Sequence, residues 1–171
     1  MKIVYINGYN GENSNKAKIL KEKYNATHIV LKNTINIDEV CKELDQIKPD
    51  IVVASSTGCY VADRCKYNNA IFIYLNPLID IKFLEKLGAD ISHINPTPSY
   101  KKNRIILLNE DDELLDYKKA KEYYKDDNVY IFKKGKHKFE NMDDLFKILD
   151  NPYLYNLDRL FWEYFSKEEL Q

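Results

Sequence analysis

Short, uninterrupted apolar runs alternate along this chain with longer segments in which apolar residues recur at helical spacing. A strand that is buried on both faces has no polar side, so it appears in a sequence as a continuous run rich in β-branched residues. The alternation therefore predicts an α/β fold: a mostly parallel sheet with helices on both faces. The predicted strands are residues 3–6, 28–31, 51–54, 71–75, 104–108 and 129–132.

The segments between these runs carry apolar residues three and four positions apart, which is typical of helices that cover a sheet. Predicted helices span residues 15–24, 38–47, 59–67, 83–87 and 117–124, and another begins at Asn141 with acidic residues in its first turn. A length of 171 residues favours one domain.

The C-terminal segment follows a break in the pattern at Asn151-Pro152. Its apolar residues again have helical spacing, at Leu157, Leu160, Phe161, Tyr164 and Phe165. We expect residues 1–150 to form the main domain and residues 151–171 to form an amphipathic helix packed on it. The alternatives are that this aromatic stripe forms a homodimer interface or covers the functional site.

Charge and composition exclude several classes of protein. A formal net charge of −1 is not that of a nucleic-acid-binding protein. The first apolar run reaches Asn7-Gly8 too soon for a signal peptide, and no run approaches the length of a membrane span, so we expect a cytoplasmic protein without membrane contact. Three cysteines without paired spacing, Cys41, Cys59 and Cys65, indicate reduced thiols and neither a disulfide framework nor a zinc site.

The third apolar run leads directly into a helix-compatible segment, with Ser56 at the turn. A nucleophile elbow places its serine at such a turn and needs small residues two positions to either side, which Ala54 and Gly58 supply. Taken alone, the segment is equally compatible with a helix N-cap or a phosphate-binding turn. The residues that accompany Ser56 must decide between these interpretations.

A serine hydroxyl is a nucleophile at neutral pH only when an imidazole accepts its proton and a carboxylate orients that imidazole. Of the three histidines, His28 lies inside a predicted strand and His93 lies in an irregular stretch. His137 follows the last strand across a short loop, which places it at the same end of the sheet as Ser56. It is therefore the candidate base.

The carboxylate is expected after the fifth strand, where residues 109–116 contain several acids. Spacing does not single out one of them, and an acidic run of this kind is often only a solvated loop. The order serine, acid, histidine along the chain is that of the α/β-hydrolase fold.

The loop after the first strand contains Gly8 and Gly11. It lacks the lysine that ends a Walker phosphate loop and the spacing of the dinucleotide fingerprint. An oxyanion hole is the better interpretation, with one backbone N–H from Thr57, directly after the serine, and the other from Tyr9 in this loop.

These segments together resemble the YqiA-like small bacterial esterases, which are compact α/β-hydrolases without a large lid. The resemblance covers residues 1–150 and is carried by five motifs in order. They are Tyr5-Ile6-Asn7-Gly8-Tyr9-Asn10, Ala54-Ser55-Ser56-Thr57-Gly58-Cys59, Tyr74-Leu75-Asn76-Pro77, Asp112-Glu113-Leu114-Leu115-Asp116-Tyr117 and Gly135-Lys136-His137-Lys138-Phe139-Glu140-Asn141.

The resemblance implies Ser56 as nucleophile, Asp112 as the acid and His137 as the base. In this chain Asn7 stands where the family has histidine, next to Gly8 in the oxyanion loop, and Cys59 stands in place of a glycine.

The expected activity is hydrolysis of a small or short-chain carboxylic ester, with no metal or organic cofactor. A non-catalytic binding or scaffold protein with the same fold is the main alternative. A nucleotide-binding domain that uses the Gly8–Gly11 loop is a third, and the sequence does not separate an ester from a thioester or an activated amide.

Overall fold

A six-stranded sheet forms the centre of the computed structural model, which describes residues 1–31, 35–86, 88, 98, 101 and 103–155. The strands are hydrogen-bonded in the order β2-β1-β3-β4-β5-β6, and each pairing is parallel. Their bounds are β1 Ile3–Ile6, β2 Thr27–Ile29, β3 Ile51–Ser55, β4 Ile71–Leu75, β5 Arg104–Asn109 and β6 Asn128–Phe132. The helices are α1 Asn15–Tyr24, α2 Ile37–Ile47, α3 Thr57–Ala62, α4 Lys82–Lys86, α5 Tyr117–Tyr123, α6 Met142–Asp150 and α7 Pro152–Tyr155.

Residues of the inner strands alternate between two cores, because successive side chains of a strand point to opposite faces. Val4 and Val52 pack on one face with apolar residues of α2, α3 and α5. Ile3 and Val53 pack on the other face with those of α1 and α6. This burial on both sides explains why the strands appear in the sequence as continuous apolar runs, and it confirms the predicted α/β class.

Polar side chains fix the starts of three helices, where the first N–H groups lack partners within the helix. The side chain of Ser14 accepts from the N–H of Ala17 at the start of α1. Asn36 caps α2 and Asp116 caps α5 in the same way.

Strand β2 and helix α3 are shorter than predicted, each for a local reason. Strand β2 ends at Ile29, and the N–H of Leu31 is instead bound by the side-chain oxygen of Asn7 at 2.8 Å. Helix α3 ends at Ala62, after which Asp63 turns into the interior.

Asp63 ties the end of α3 to neighbouring elements. Its carboxylate accepts hydrogen bonds from the hydroxyls of Tyr74 at 2.8 Å and Tyr124 at 3.0 Å, and Arg104 lies 3.3 Å away. Burial, reinforced by the nearby Asp63 charge, raises the pKa of both tyrosines, so they remain neutral donors. Asp127 completes the network with a 2.7 Å contact to Arg104. The short helix is thereby anchored to β4, β5 and the end of α5.

The expectation of reduced cysteines is wrong for two of the three. Cys41 of α2 and Cys65, just beyond α3, form a disulfide, whereas Cys59 is a free, buried thiol. The two helices pack on the same face of the sheet, which brings together sulfur atoms that are 24 positions apart in the sequence.

None of the helices in the described part of the chain has the length and apolarity needed to cross a bilayer. Of the predicted C-terminal helix only the first part is described, as α7; residues 156–171, which hold its aromatic stripe, and His93 lie outside the described residues, so the proposed division into domains stays a prediction.

Candidate active site

The order of the strands reverses direction between β1 and β3, since β2 lies on one side of this pair and β4 to β6 lie on the other. In parallel α/β sheets, ligands bind at the carboxyl ends of the strands next to such a switch point. A cavity of about 660 Å³ opens there among the described residues. Its walls include the loop after β1, Ser56, Thr57 and the segment around His137.

Ser56 occupies a backbone conformation that few non-glycine residues adopt, with φ 50° and ψ −115°. Surrounding hydrogen bonds hold it there. Its N–H donates to the carbonyl of Leu75 at 3.0 Å, and its own carbonyl accepts from Cys59 and Leu78, both at 3.1 Å. Its backbone is therefore fixed at both ends, and its side chain makes no hydrogen bond that caps the helix. This is the geometry expected of a nucleophile elbow.

Gly58 explains the requirement for small residues at this turn. A Cβ atom on Gly58 would lie 2.4 Å from the carbonyl oxygen of Ile6 and 2.7 Å from that of Asn7. Gly8 lies beside Ser56 in the wall of the cavity, and a Cβ atom on Gly8 would lie 3.3 Å from the Cβ of Ser56. The absence of a side chain at each glycine thus lets α3 pack on the end of β1 and leaves space beside the hydroxyl of Ser56.

His137 and Asp112 form a direct pair. The imidazole Nδ1 lies 2.9 Å from Asp112 Oδ2 and 3.2 Å from Oδ1, and the aspartate side chain is only 2 % exposed. Burial acts to raise the pKa of Asp112. The hydrogen bonds from His137 and from the N–H groups of Leu115 and Leu114 outweigh burial, and hold that pKa below its ordinary value. Asp112 is therefore an ionised carboxylate suited to orient the ring.

The two acids that flank Asp112 bind the backbone of the loop that carries His137, residues 133–141 (the histidine loop). Asp111 accepts from the N–H of Lys136 at 2.8 Å, and Glu113 accepts from the N–H of His137 at 3.0 Å. The acidic run thus forms three consecutive contacts with the histidine loop. The sequence suggested one functional acid among several solvated ones, and it gave no sign of these two backbone contacts.

Asn76 and Asn109 hold the histidine loop through hydrogen bonds to its backbone carbonyls. The amide nitrogen of Asn76 donates to the carbonyls of Lys136 at 2.8 Å and His137 at 3.2 Å, while its oxygen accepts from the N–H of Asn109 at 2.8 Å. The side chain of Asn109 donates to the carbonyl of Lys136 at 2.8 Å. Asn76 stands in one of the sequence motifs without an assigned role, and its position after β4 was the available signal.

The proposed oxyanion donors both line the cavity. Among the described residues, the N–H groups of Tyr9 and Thr57 have no hydrogen-bond acceptor, although Thr57 is only 1 % exposed. Asn7 is also at the cavity, but its amide is already engaged: the oxygen binds Leu31 and the nitrogen donates to the carbonyl of Gly8 at 2.5 Å. Asn7 therefore shapes the loop through its amide, and the N–H groups that follow it remain available.

The structure brings Ser56 and His137 to one cavity but does not join them by a hydrogen bond within the described part of the chain. His28 lies away from this cavity, in β2, where it stacks on Tyr5 with ring centroids 5.5 Å apart. No group of three or more histidine, cysteine, aspartate or glutamate residues in the described ranges has the arrangement of a metal site.

A family model described as "Uncharacterised protein family (UPF0227)" matches residues 90–150. This family is YqiA-like and esterase-like, so the resemblance inferred from the sequence is confirmed for that segment. The segment contains Asp112 and His137 but not Ser56. No curated protein matches the chain.

Proposed function

We propose that this protein is a serine hydrolase that cleaves a small carboxylic ester through Ser56, His137 and Asp112. One observation carries the proposal. Ser56, held at a strained strand-to-helix turn, lines the same cavity as His137, and the imidazole of His137 is paired with the buried carboxylate of Asp112. The esterase-like family match over residues 90–150 supports the same chemistry independently of Ser56.

The reaction follows from the roles of these groups. His137 Nε2 takes the hydroxyl proton of Ser56 while the serine oxygen attacks the ester carbonyl carbon. Asp112 stabilises the imidazolium that forms, and the N–H groups of Thr57 and Tyr9 bind the oxyanion. The tetrahedral intermediate then expels the alkoxide, which takes the proton from His137 and leaves an acyl-serine. Water, deprotonated by His137, attacks this acyl group, and the second tetrahedral intermediate then releases the acid while His137 returns the proton to the oxygen of Ser56.

The mechanism requires the hydroxyl of Ser56 to donate to Nε2 of His137 when the substrate is bound. Catalytic hydrogen bonds are often long without substrate and tighten in the complex.

Turnover of a short-chain 4-nitrophenyl ester tests the proposal. Ser56→Ala should reduce kcat by at least about 10³-fold, because the nucleophile is removed and only binding and the oxyanion hole remain. Ser55→Ala is the matched control, since Ser55 is the adjacent serine and contacts the hydroxyl of Tyr5 at 3.0 Å. Equal activity of wild type and Ser56→Ala would refute the assignment.

A non-catalytic scaffold is the second candidate, and the missing hydrogen bond between Ser56 and His137 is the observation that favours it. In that case the protein would bind a small ester-like ligand or a partner protein without cleaving it. Wild-type protein that is folded but has no esterase activity above the Ser56→Ala background would support this candidate.

A further inference from the structure

Two lysines face the cavity that contains Ser56. Lys16 lies in the first turn of α1, and Lys138 directly follows His137. Neither ammonium group has a carboxylate within ion-pair distance among the described residues. The cavity therefore contains positive charge that the described part of the chain does not neutralise.

The position of Lys16 is fixed by the backbone of the histidine loop. Its Nζ donates to the carbonyl oxygen of Lys138. The contact joins α1 to a segment 122 positions away and holds the ammonium beside the residue that follows the imidazole. The ammonium of Lys16 is therefore held at one position, whereas the side chain of an exposed lysine moves freely through solvent.

The surroundings of Lys16 disfavour its charge. Burial, together with the nearby charge of Lys138, lowers the pKa of Lys16 to about 8. Glu140, the acid in the cavity wall, is exposed, and its carboxylate lies 3.9 Å from the ammonium of Lys136. An anion that enters the cavity would offset both the burial of Lys16 and its repulsion from Lys138.

We propose that the substrate carries a negative charge, and that Lys16, assisted by Lys138, binds it. The inference rests on the proposed hydrolase function and narrows its substrate class to esters with a carboxylate in either the acyl or the alcohol part. An anion bound beside the histidine loop would also orient the scissile carbonyl towards Ser56.

Matched pairs of chromogenic esters test this proposal. One pair differs in the acyl group, 4-nitrophenyl hydrogen adipate against 4-nitrophenyl hexanoate. The other differs in the alcohol, 4-acetoxybenzoate against its methyl ester. We expect wild-type protein to favour the anionic member of at least one pair in kcat/KM, mainly through a lower KM. Lys16→Met, which keeps an apolar stem but removes the charge, should reduce that preference about tenfold.

Lys18→Met is the control, because Lys18 is an exposed residue of the same helix and does not line the cavity. It should keep the wild-type preference. Absence of a preference in both wild-type pairs, or an unchanged preference in Lys16→Met, would overturn the proposal.

A binding measurement separates this proposal from the hydrolase proposal. Adipate is titrated into wild-type and Lys16→Met protein while the backbone amide signals of Gly8 and Tyr9 are followed. Saturable shifts in wild type whose affinity weakens about tenfold in the variant support an anion site, even if none of the four esters is cleaved. Equal shifts in both proteins, or none in wild type, would contradict it.

Discussion

The run of acids from Asp111 to Glu113 shows how differently adjacent residues of one type are used. Asp112 contacts the imidazole of His137, whereas Asp111 and Glu113 accept backbone N–H groups of the same loop. A sequence gives the identity and spacing of the acids but not the direction of each side chain in an irregular loop. The resemblance singled out Asp112, whereas the contacts of the other two acids depend on the folded path of the loop.

At Asp112, replacement by asparagine should lower kcat about 10³- to 10⁴-fold, because the neutral amide no longer stabilises the imidazolium or fixes the tautomer. Asp111→Asn should cost far less, since an amide oxygen can still accept from the N–H of Lys136. Steady-state kinetics on the same ester compares them. A larger loss in Asp111→Asn would move the catalytic acid to that position.

The same carboxylate should make stability depend on pH. The folded-state pKa of Asp112 is below the ordinary value of 3.8, so its contribution is present above that value and is lost as the pH falls through the lower, folded pKa. Wild type should therefore exceed Asp112→Asn in the free energy of unfolding at pH 7 and pH 5, and the difference should shrink by pH 3. Urea unfolding followed by circular dichroism measures it. A difference that is constant or grows towards pH 3 would contradict the interpretation.

At the level of elements, the strands were predictable, but the roles of the residues just beyond them were not. β1 and β4 lie where their apolar runs predicted, because burial on both faces leaves a clear pattern. The residues just beyond them, Asn7 and Asn76, use side-chain amides in place of the sheet's backbone hydrogen bonds. A single asparagine after a strand is too common in sequences to reveal such a role.

Asn76 offers a test of how the histidine loop is held. Asn76→Asp keeps the shape of the side chain but removes the two N–H donors and places a carboxylate against the carbonyls of Lys136 and His137. We expect kcat to fall at least about tenfold, because small displacements of a catalytic group are costly. The NMR signals of the His137 imidazole should also shift.

Asn25→Asp is the control for this substitution. Asn25 has a similar left-handed backbone, φ 53° against 44° for Asn76, but it is exposed at the end of α1. Its variant should leave both kcat and the His137 imidazole signals unchanged. Equal effects of the two substitutions would show that Asn76 acts on general stability and not on the loop.

Across the whole molecule, the alternation of apolar runs and amphipathic segments predicted the fold class, and the order of the motifs predicted that Ser56 and His137 share an end of the sheet. The disulfide was missed for a physical reason. Cys41 lies in α2 and Cys65 lies just beyond α3, 24 positions later in the sequence. Only the packing of α2 beside α3 brings them together.

This disulfide should contribute to stability by restricting the unfolded chain. A crosslink between residues 24 positions apart is worth about 3.5 kcal/mol on loop-closure arguments. Urea unfolding with and without dithiothreitol should show a difference of this order in wild type and in Cys59→Ala, and none in Cys41→Ala. An identical urea midpoint for wild type under both conditions would contradict the prediction.

Covalent labelling by a fluorophosphonate, followed by peptide mapping, is the most direct measurement of whether Ser56 is an activated nucleophile. The reagent reacts with serines whose hydroxyl is deprotonated by a neighbouring base. We predict a single label on Ser56 in wild type, lost in His137→Ala and strongly slowed in Asp112→Asn. Folded wild-type protein that stays unlabelled, or labelling of Ser56 that is equally fast in His137→Ala, would contradict the central claim.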